Sequence, residues 1–167
     1  MSFNVRVILR NAVYAAFYVV LCYVFAPISF SWVQVRIAEM LCVMPLFDEY
    51  AIISVSIGCF LSNLLMGNVA DAIFGTLATF LGLLCIKFIK TNNFFIKMLP
   101  TIISNTIIIP FVLKYAYGFV ELPIYISAIY IAIGEIIAIY ILGYILYKVL
   151  RKAVDSNIIS FKYKNEK

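Results

Sequence analysis

A small set of polar side chains interrupts the apolar stretches of this chain, and these residues have the chemistry to bind a polar ligand. Arg36 and Glu39 are spaced i, i+3, so on a helix they share a face. If these stretches cross a membrane, each charge at bilayer depth costs about 2.5–3.5 kcal/mol and needs a partner, a wet cavity or a ligand. We therefore interpret segment 33–41 as half of a binding site, whose candidate residues are Gln34, Arg36, Glu39, Asn68, Asp71, Asn105 and Glu135.

A purely structural role explains some of these residues better than others. Arg36 can simply pair with Glu39 or with Asp71 as a buried salt bridge. Glu135 lies in the middle of an apolar stretch with no basic residue near it in sequence, which favours a functional role. Asn63 and Asn105 can form interhelical hydrogen bonds instead of binding a ligand. Asp71 can cap the fourth helix, and Asn68 can be an ordinary turn residue.

The composition indicates that helices in a membrane must position these groups. The chain has 167 residues, of which 65% are hydrophobic and 13% are charged. Soluble domains contain about 45–50% apolar and about 25% charged residues. We therefore predict an all-α integral membrane protein, a bundle of six transmembrane helices. Residues 1–150 form the membrane domain, and residues 151–167 form a basic cytoplasmic tail.

Uncharged runs separated by turn signals define the six predicted spans. A short basic lead-in, residues 1–10, precedes the first span. The second span is short, which suggests a helix packed inside the bundle. Pro123 suits the first turn of the last helix, and Pro110 should kink the fifth. The predicted spans are 11 to about 27, 34 to about 48, 50–66, 72–86, 98–113 and 123–150.

The distribution of basic residues sets the predicted orientation. Six spans place both termini on one side, and the positive-inside rule makes that side the cytoplasm. Every Lys and Arg except Arg36 and Lys114 is then cytoplasmic. The positions of the charges therefore argue for a lipid bilayer rather than nucleic acid as the partner. Asp48 and Glu49 fall at a cytoplasmic turn, where we expect them to be solvated.

The sequence lacks the residues and motifs that catalysis, metal binding or nucleotide binding would need. The chain has no histidine, the usual general base and a common metal ligand. The cysteines are far apart and lie in apolar runs, so we interpret them as small hydrophobic residues. No phosphate-binding loop or nucleophile–base pair is present. We therefore predict a protein that is not an enzyme and needs no cofactor. The cysteines are Cys22, Cys42, Cys59 and Cys85.

The first span carries a pattern of small residues that suits contact with another helix. Ala12 and Ala16 are spaced i, i+4, and Ala15 lies beside them. Small residues at this spacing let helices approach closely in membranes, although the pattern is also common by chance. We interpret the three alanines as a candidate partner interface.

The order of motifs resembles the queuosine-precursor transporter family. The resemblance covers about residues 5–150 and depends chiefly on VQVRIAE at 33–39 and DAIFGTLATF at 71–80. Further matching segments are PISF at 27–30, PLF at 45–47, GCFLSNLL at 58–65 and AIGE at 132–135.

This resemblance implies the substrate-binding (S) component of an energy-coupling-factor transporter, an ABC importer for micronutrients in the bacterial cell membrane. Such proteins are six-helix bundles that capture their substrate at the outer face. Their partners are a transmembrane coupling subunit and two ATPases. The resemblance also implies that Ala12 and Ala16 lie where the coupling subunit docks.

The implied substrate is a 7-deazaguanine: the cyano form preQ0, the aminomethyl form preQ1 or queuine. Its adjacent N1–H and N2–H₂ groups suit a carboxylate that accepts two hydrogen bonds. We expect Glu39 or Glu135 to bind this edge, with Asn68 or Asn105 completing it and an aromatic ring stacking on the base. The alternatives are an S component for another vitamin and a structural membrane protein without a ligand.

Overall fold

The computed structural model describes residues 5–29, 35–118 and 122–161. Throughout these ranges the chain is helical and forms no strand, which confirms the all-α prediction. The helices are α1 (Val5–Val24), the short α2 (Ala26–Ser29), a 3₁₀ helix (Ile37–Leu46), α3 (Ala51–Leu65), α4 (Asp71–Ile86), α5 (Phe94–Tyr115) and α6 (Ile124–Asp155). Helix α4 begins with a π-helical turn, Asp71–Gly75, and α6 contains a π-helical segment, Ile136–Leu142.

Three of the helices, α1, α5 and α6, are long and apolar enough to cross a membrane. The 3₁₀ helix, α3 and α4 are apolar but shorter. At about 2 Å per residue the 3₁₀ helix extends over about 20 Å, less than the hydrocarbon thickness of a bilayer. Its side chains are largely buried within the bundle, as expected for the short second span. The protein is thus a helical membrane protein, and the count of six spans stays a prediction.

Contacts between neighbouring helices show where the chain reverses direction. Tyr18 of α1 contacts Glu39 at the start of the 3₁₀ helix, whereas Arg10 contacts Asp48 just beyond its end. Ser104 of α5 donates a hydrogen bond to the Ala78 carbonyl of α4. Further reversals follow from the pairs Cys59–Thr79 between α3 and α4 and Tyr140–Phe95 between α6 and α5.

Both ends of the described chain lie at the same end of the bundle. The Arg10 guanidinium donates a hydrogen bond to the Phe161 carbonyl at 3.4 Å and lies 5.5 Å from the centre of the Phe161 ring. This arrangement agrees with an even number of passes. The side of the membrane on which this end lies stays a prediction.

Two glycines allow the backbones of adjacent helices to touch. A Cβ atom on Gly82 of α4 would lie 2.5 Å from the Thr101 Cα of α5. A Cβ atom on Gly58 of α3 would lie 2.7 Å from the Tyr18 Cβ of α1. These close approaches bring the polar residues of α1, α3, α4 and α5 towards a common interior.

Three helices extend beyond their predicted boundaries, because the predictions place charged residues near their ends outside the helices. Helix α1 begins at Val5, so much of the predicted basic lead-in is helical. Helix α5 extends beyond the predicted 98–113 at both ends, starting at the cap that Asn93 supplies to the amides of Phe95 and Ile96. Helix α6 continues past residue 150 to Asp155.

The expectation that Asp48 is solvated is wrong. Its side chain is buried and lies 2.5 Å from the Arg10 guanidinium. A buried carboxylate needs such a partner, and Arg10 lies one helix away at the same end of the bundle. Glu49 is exposed, as expected, and forms an open ion pair with Lys87 at 3.4 Å.

Candidate functional site

A buried ion pair joins the 3₁₀ helix to α4. Arg36 directly precedes the 3₁₀ helix, and its Nη2 lies 2.9 Å from Oδ2 of Asp71, the first residue of α4. Both side chains are buried. Arg36 therefore pairs with Asp71, one of the two partners that the sequence left open. The Asp71 carboxylate accepts from Arg36 through Oδ2, and its Oδ1 accepts no hydrogen bond, so Asp71 does not cap the helix.

The backbone around Asp71 is fixed by two neighbouring side chains. Asn63 of α3 donates to the Asp71 carbonyl at 3.4 Å and to the Cys59 carbonyl at 3.0 Å. The Asp71 amide donates to the Tyr117 hydroxyl at 3.2 Å, beyond the end of α5. Partial burial raises the pKa of Tyr117 further above its ordinary value, at which the hydroxyl is already neutral at physiological pH. Asn63 thus links two helices, as its structural interpretation requires.

Glu39 accepts hydrogen bonds from three side chains on three different elements. The Tyr18 hydroxyl of α1 donates to Oε1 at 2.5 Å, and the Thr79 hydroxyl of α4 donates to the same atom at 3.3 Å. The Cys42 thiol donates to Oε2 at 2.8 Å. All three groups donate, which suits an ionised carboxylate because that group only accepts. Glu39 therefore holds the centre of the bundle together.

None of these three donors is among the predicted site residues. The interpretation of Cys42 as only a small hydrophobic residue is incomplete, and its i, i+3 spacing from Glu39 is the signal in the sequence that indicates the contact. Tyr18 and Thr79 lie far from Glu39 in sequence and reach it only through helix packing. No local pattern distinguishes them from other residues of their spans.

Glu135 and Asn105 are buried but have hydrogen-bonding capacity to spare. Glu135 lies on α6 and is 4% exposed, and Asn105 on α5 is 1% exposed. The two side chains are neighbours, yet neither Glu135 Oε2 nor Asn105 Nδ2 makes a hydrogen bond of normal geometry within the structure. Unpaired buried polar atoms cost about 1–3 kcal/mol each. The hydroxyl oxygens of Thr101 and Thr106 on α5 are likewise buried and make no hydrogen bond.

Both carboxylates that begin or precede a π-helical segment belong to this region. Asp71 starts the π turn of α4, and Glu135 directly precedes the π segment of α6. Such segments are rare and frequently occur at functional sites, because they re-aim side chains at the cost of regular hydrogen bonding. The π-helical segments and the unpaired side-chain atoms therefore both indicate a functional site in this region.

We call Arg36, Glu39, Asp71, Asn105 and Glu135 the buried polar cluster. Glu135 lies within electrostatic range of both Glu39 and Arg36, so five of the predicted site residues come together. Asn68 does not join them: it lies half-buried in the turn after α3, where its backbone bonds to Asn63 and Ala72. Gln34 lies outside the described residues.

The cluster offers mainly acceptors and negative charge. Among the buried residues that the structure describes, Arg36 is the only cation, and it is paired with Asp71. Arg36 lies within electrostatic range of Glu39 and Glu135, but its ion pair is with Asp71. The arrangement therefore suits a ligand that presents N–H donors. Over the described ranges, no three His, Cys, Asp or Glu side chains are grouped to hold a metal ion.

The three alanines of the predicted partner interface lie on a different face of α1. They line an open apolar groove of about 570 Å³ between α1 and α3, together with residues such as Ile53 and Ile57. Ala12 and Ala16 are exposed, and Ala15 is half-buried. The groove is accessible in the isolated protein, and it is separate from the buried polar cluster.

Comparisons with known proteins agree on one family. A family model described as "QueT transporter" matches residues 8–152. The queuosine precursor transporter QueT of Lactococcus lactis is 39% identical over 74 residues, which are 43% of this chain and 44% of that protein. The chain thus matches about half of the length of this relative. No solved structure matches the chain.

Proposed function

Since the chain belongs to the QueT transporter family, we propose that it captures a queuosine precursor as the S component of an energy-coupling-factor importer. In this proposal it crosses the bacterial plasma membrane six times with both termini in the cytoplasm. The observation that supports substrate capture most is the unfilled hydrogen-bonding capacity of Glu135 and Asn105 within the buried polar cluster.

The guanine edge of a 7-deazaguanine complements these unpaired atoms. Its N1–H and N2–H₂ groups are parallel donors, and a carboxylate accepts such a pair in the same way as it accepts an arginine. Its O6 needs a donor, which the Asn105 amide provides. We propose Glu135 and Asn105 as the pair that binds this edge, because the oxygens of Glu39 are already occupied by Tyr18, Cys42 and Thr79.

A thermal-shift titration of the purified protein tests the substrate class. The panel contains guanine, preQ0, preQ1, queuine, riboflavin, biotin and thiamine. A ligand at 100 times its dissociation constant stabilises the folded state by about 2.7 kcal/mol, which is visible as a higher melting temperature. We expect stabilisation by deazaguanines alone. Stabilisation by another vitamin only would keep the S-component proposal and replace its substrate.

We further propose that the groove lined by Ala12, Ala15 and Ala16 receives a helix of the transmembrane coupling subunit, which works with two ATPases. The groove is apolar, open and floored by small side chains, which lets a helix backbone approach closely. Ala12→Trp with Ala16→Trp should fill it and abolish co-purification with the coupling subunit. Ligand binding should persist, because the groove is separate from the buried polar cluster.

The competing function is a structural membrane protein whose polar residues only hold helices together. Arg36–Asp71 and Glu39 fit that role, because Arg36 and Asp71 form an ion pair and Glu39 accepts hydrogen bonds from protein side chains. The unpaired atoms of Glu135 and Asn105 do not fit it. A structural protein should melt at the same temperature with every compound in the panel.

A further inference from the structure

A cavity of about 370 Å³ lies at the end of the bundle where the described termini meet. It is formed by the end of the 3₁₀ helix, the start of α3, the end of α4 and the start of α5. The ring of Phe47 lines the cavity and also packs against Tyr147 and Phe161, which places the cavity at this end. The cavity shares no lining residue with the buried polar cluster, so it is a separate feature of the molecule.

The charged side chains of this cavity are two lysines and one carboxylate. Lys87 directly follows the last residue of α4, and Lys97 lies in the first turn of α5. Glu49 pairs with Lys87 at 3.4 Å, but its side chain is 80% exposed, so water weakens this pair. Lys97 forms no ion pair within the described residues. The cavity therefore has an excess of positive charge.

Each of the two lysines stands beside an exposed apolar side chain. Phe88 directly follows Lys87 and is 77% exposed, and Ile96 directly precedes Lys97 and is 51% exposed. This combination is typical of the depth of the lipid headgroups, where phosphates lie above acyl chains. A soluble phosphate ion would contact the lysines and leave the apolar side chains uncovered. The surroundings of the cavity therefore favour a phospholipid over a soluble anion.

We propose that this cavity binds the headgroup of an anionic phospholipid, with Lys87 and Lys97 as the residues that contact its phosphate. Basic pockets between transmembrane helices bind such headgroups at the cytoplasmic side of membranes. Lysine binds phosphate as a point charge, so the lipid phosphate can replace Glu49 as the partner of Lys87. The site agrees with the predicted cytoplasmic position of this end and does not depend on the substrate.

Native mass spectrometry of the full chain released from detergent tests this site. The protein is equilibrated with phosphatidylglycerol or with zwitterionic phosphatidylcholine of the same acyl chains. We expect the wild-type protein to bind phosphatidylglycerol at least about tenfold more tightly, because two lysines contact its phosphate. Lys87→Gln with Lys97→Gln should lose most of this preference. The matched control, Lys148→Gln with Lys152→Gln, removes the same charge from exposed positions of α6 and should keep it.

Glu49→Gln tests the site in the opposite direction. It keeps both lysines and removes the carboxylate that competes with the lipid phosphate for Lys87. Phosphatidylglycerol should therefore bind more tightly to this variant than to the wild type, whereas phosphatidylcholine should bind equally to both. Because Glu49 is exposed, this variant should fold, and its result stays decisive if the double lysine variant does not fold.

The outcomes separate a defined site from general attraction to basic residues. An equal loss of preference in the two double variants would overturn the proposal, as would equal binding of the two lipids to the wild-type protein. Displacement of phosphatidylglycerol by inorganic phosphate, but not by chloride at equal ionic strength, would assign the cavity to a soluble anion instead. A loss confined to Lys87→Gln with Lys97→Gln, together with a gain in Glu49→Gln, supports the proposal.

Discussion

At the end of the bundle where the described termini meet, charges are paired and partly wet. Arg10 is 19% exposed beside the buried Asp48, and Lys87 meets Glu49 in the open. In the buried polar cluster, Arg36 and Asp71 form a buried ion pair, while Glu135 keeps an unpaired oxygen. The ion pairs at the end where the termini meet therefore stabilise the fold. The buried polar cluster stabilises the fold and also keeps acceptors that a ligand could use.

Breaking the Arg36–Asp71 pair should have the largest effect on stability. Arg36→Ala leaves Asp71 as a buried charge without its partner, which costs about 3–5 kcal/mol. Denaturant unfolding in detergent, followed by circular dichroism, measures the loss. The double variant Arg36→Met with Asp71→Leu should recover most of it, because no uncompensated charge remains. A single variant as stable as the wild type would show that the pair is not a structural element.

Removing one donor from Glu39 should have the next largest effect. Tyr18→Phe keeps the ring and deletes the hydroxyl that lies 2.5 Å from Oε1, a hydrogen bond to a charged group worth about 1.5–3 kcal/mol. The matched control is Tyr23→Phe, an exposed tyrosine on the same helix, which should leave the unfolding midpoint unchanged. Equal midpoints for the two variants would refute the role given to Tyr18.

The ion pairs at the opposite end should matter less, in the order of their burial. Asp48→Asn should cost about 1–2 kcal/mol, between the limits for exposed and buried pairs. Glu49→Gln should change stability by less than about 0.5 kcal/mol, because both partners are solvated. The same unfolding assay measures both, and a larger loss for Glu49→Gln than for Asp48→Asn would reverse the comparison.

Much of the architecture follows from the sequence, because apolar runs between turn signals identify helices without tertiary information. The short second segment and the start of α6 after Pro123 are examples. The 3₁₀ form of that segment was not predictable, since its pattern is equally compatible with an α-helix.

The sequence also identified the polar residues of the cluster but not their partners. Charge in an apolar run marks Arg36, Glu39 and Glu135 as unusual wherever they lie. The choice of Asp71 for Arg36, and of Tyr18 and Thr79 for Glu39, depends on how helices pack. Asp48 was misjudged for the same reason, because its partner Arg10 lies on another helix.

The most direct test of the account is the affinity of preQ1 for three variants measured by equilibrium binding: Glu135→Gln, Glu39→Gln and the exposed control Glu49→Gln. We predict that affinity falls at least about tenfold in Glu135→Gln, equivalent to about 1.4 kcal/mol, and by less in Glu39→Gln, whose oxygens are occupied by protein donors. It should stay at the wild-type value in the control. Unchanged affinity in both buried variants, with the proteins folded, would contradict the claim that this cluster is the substrate site.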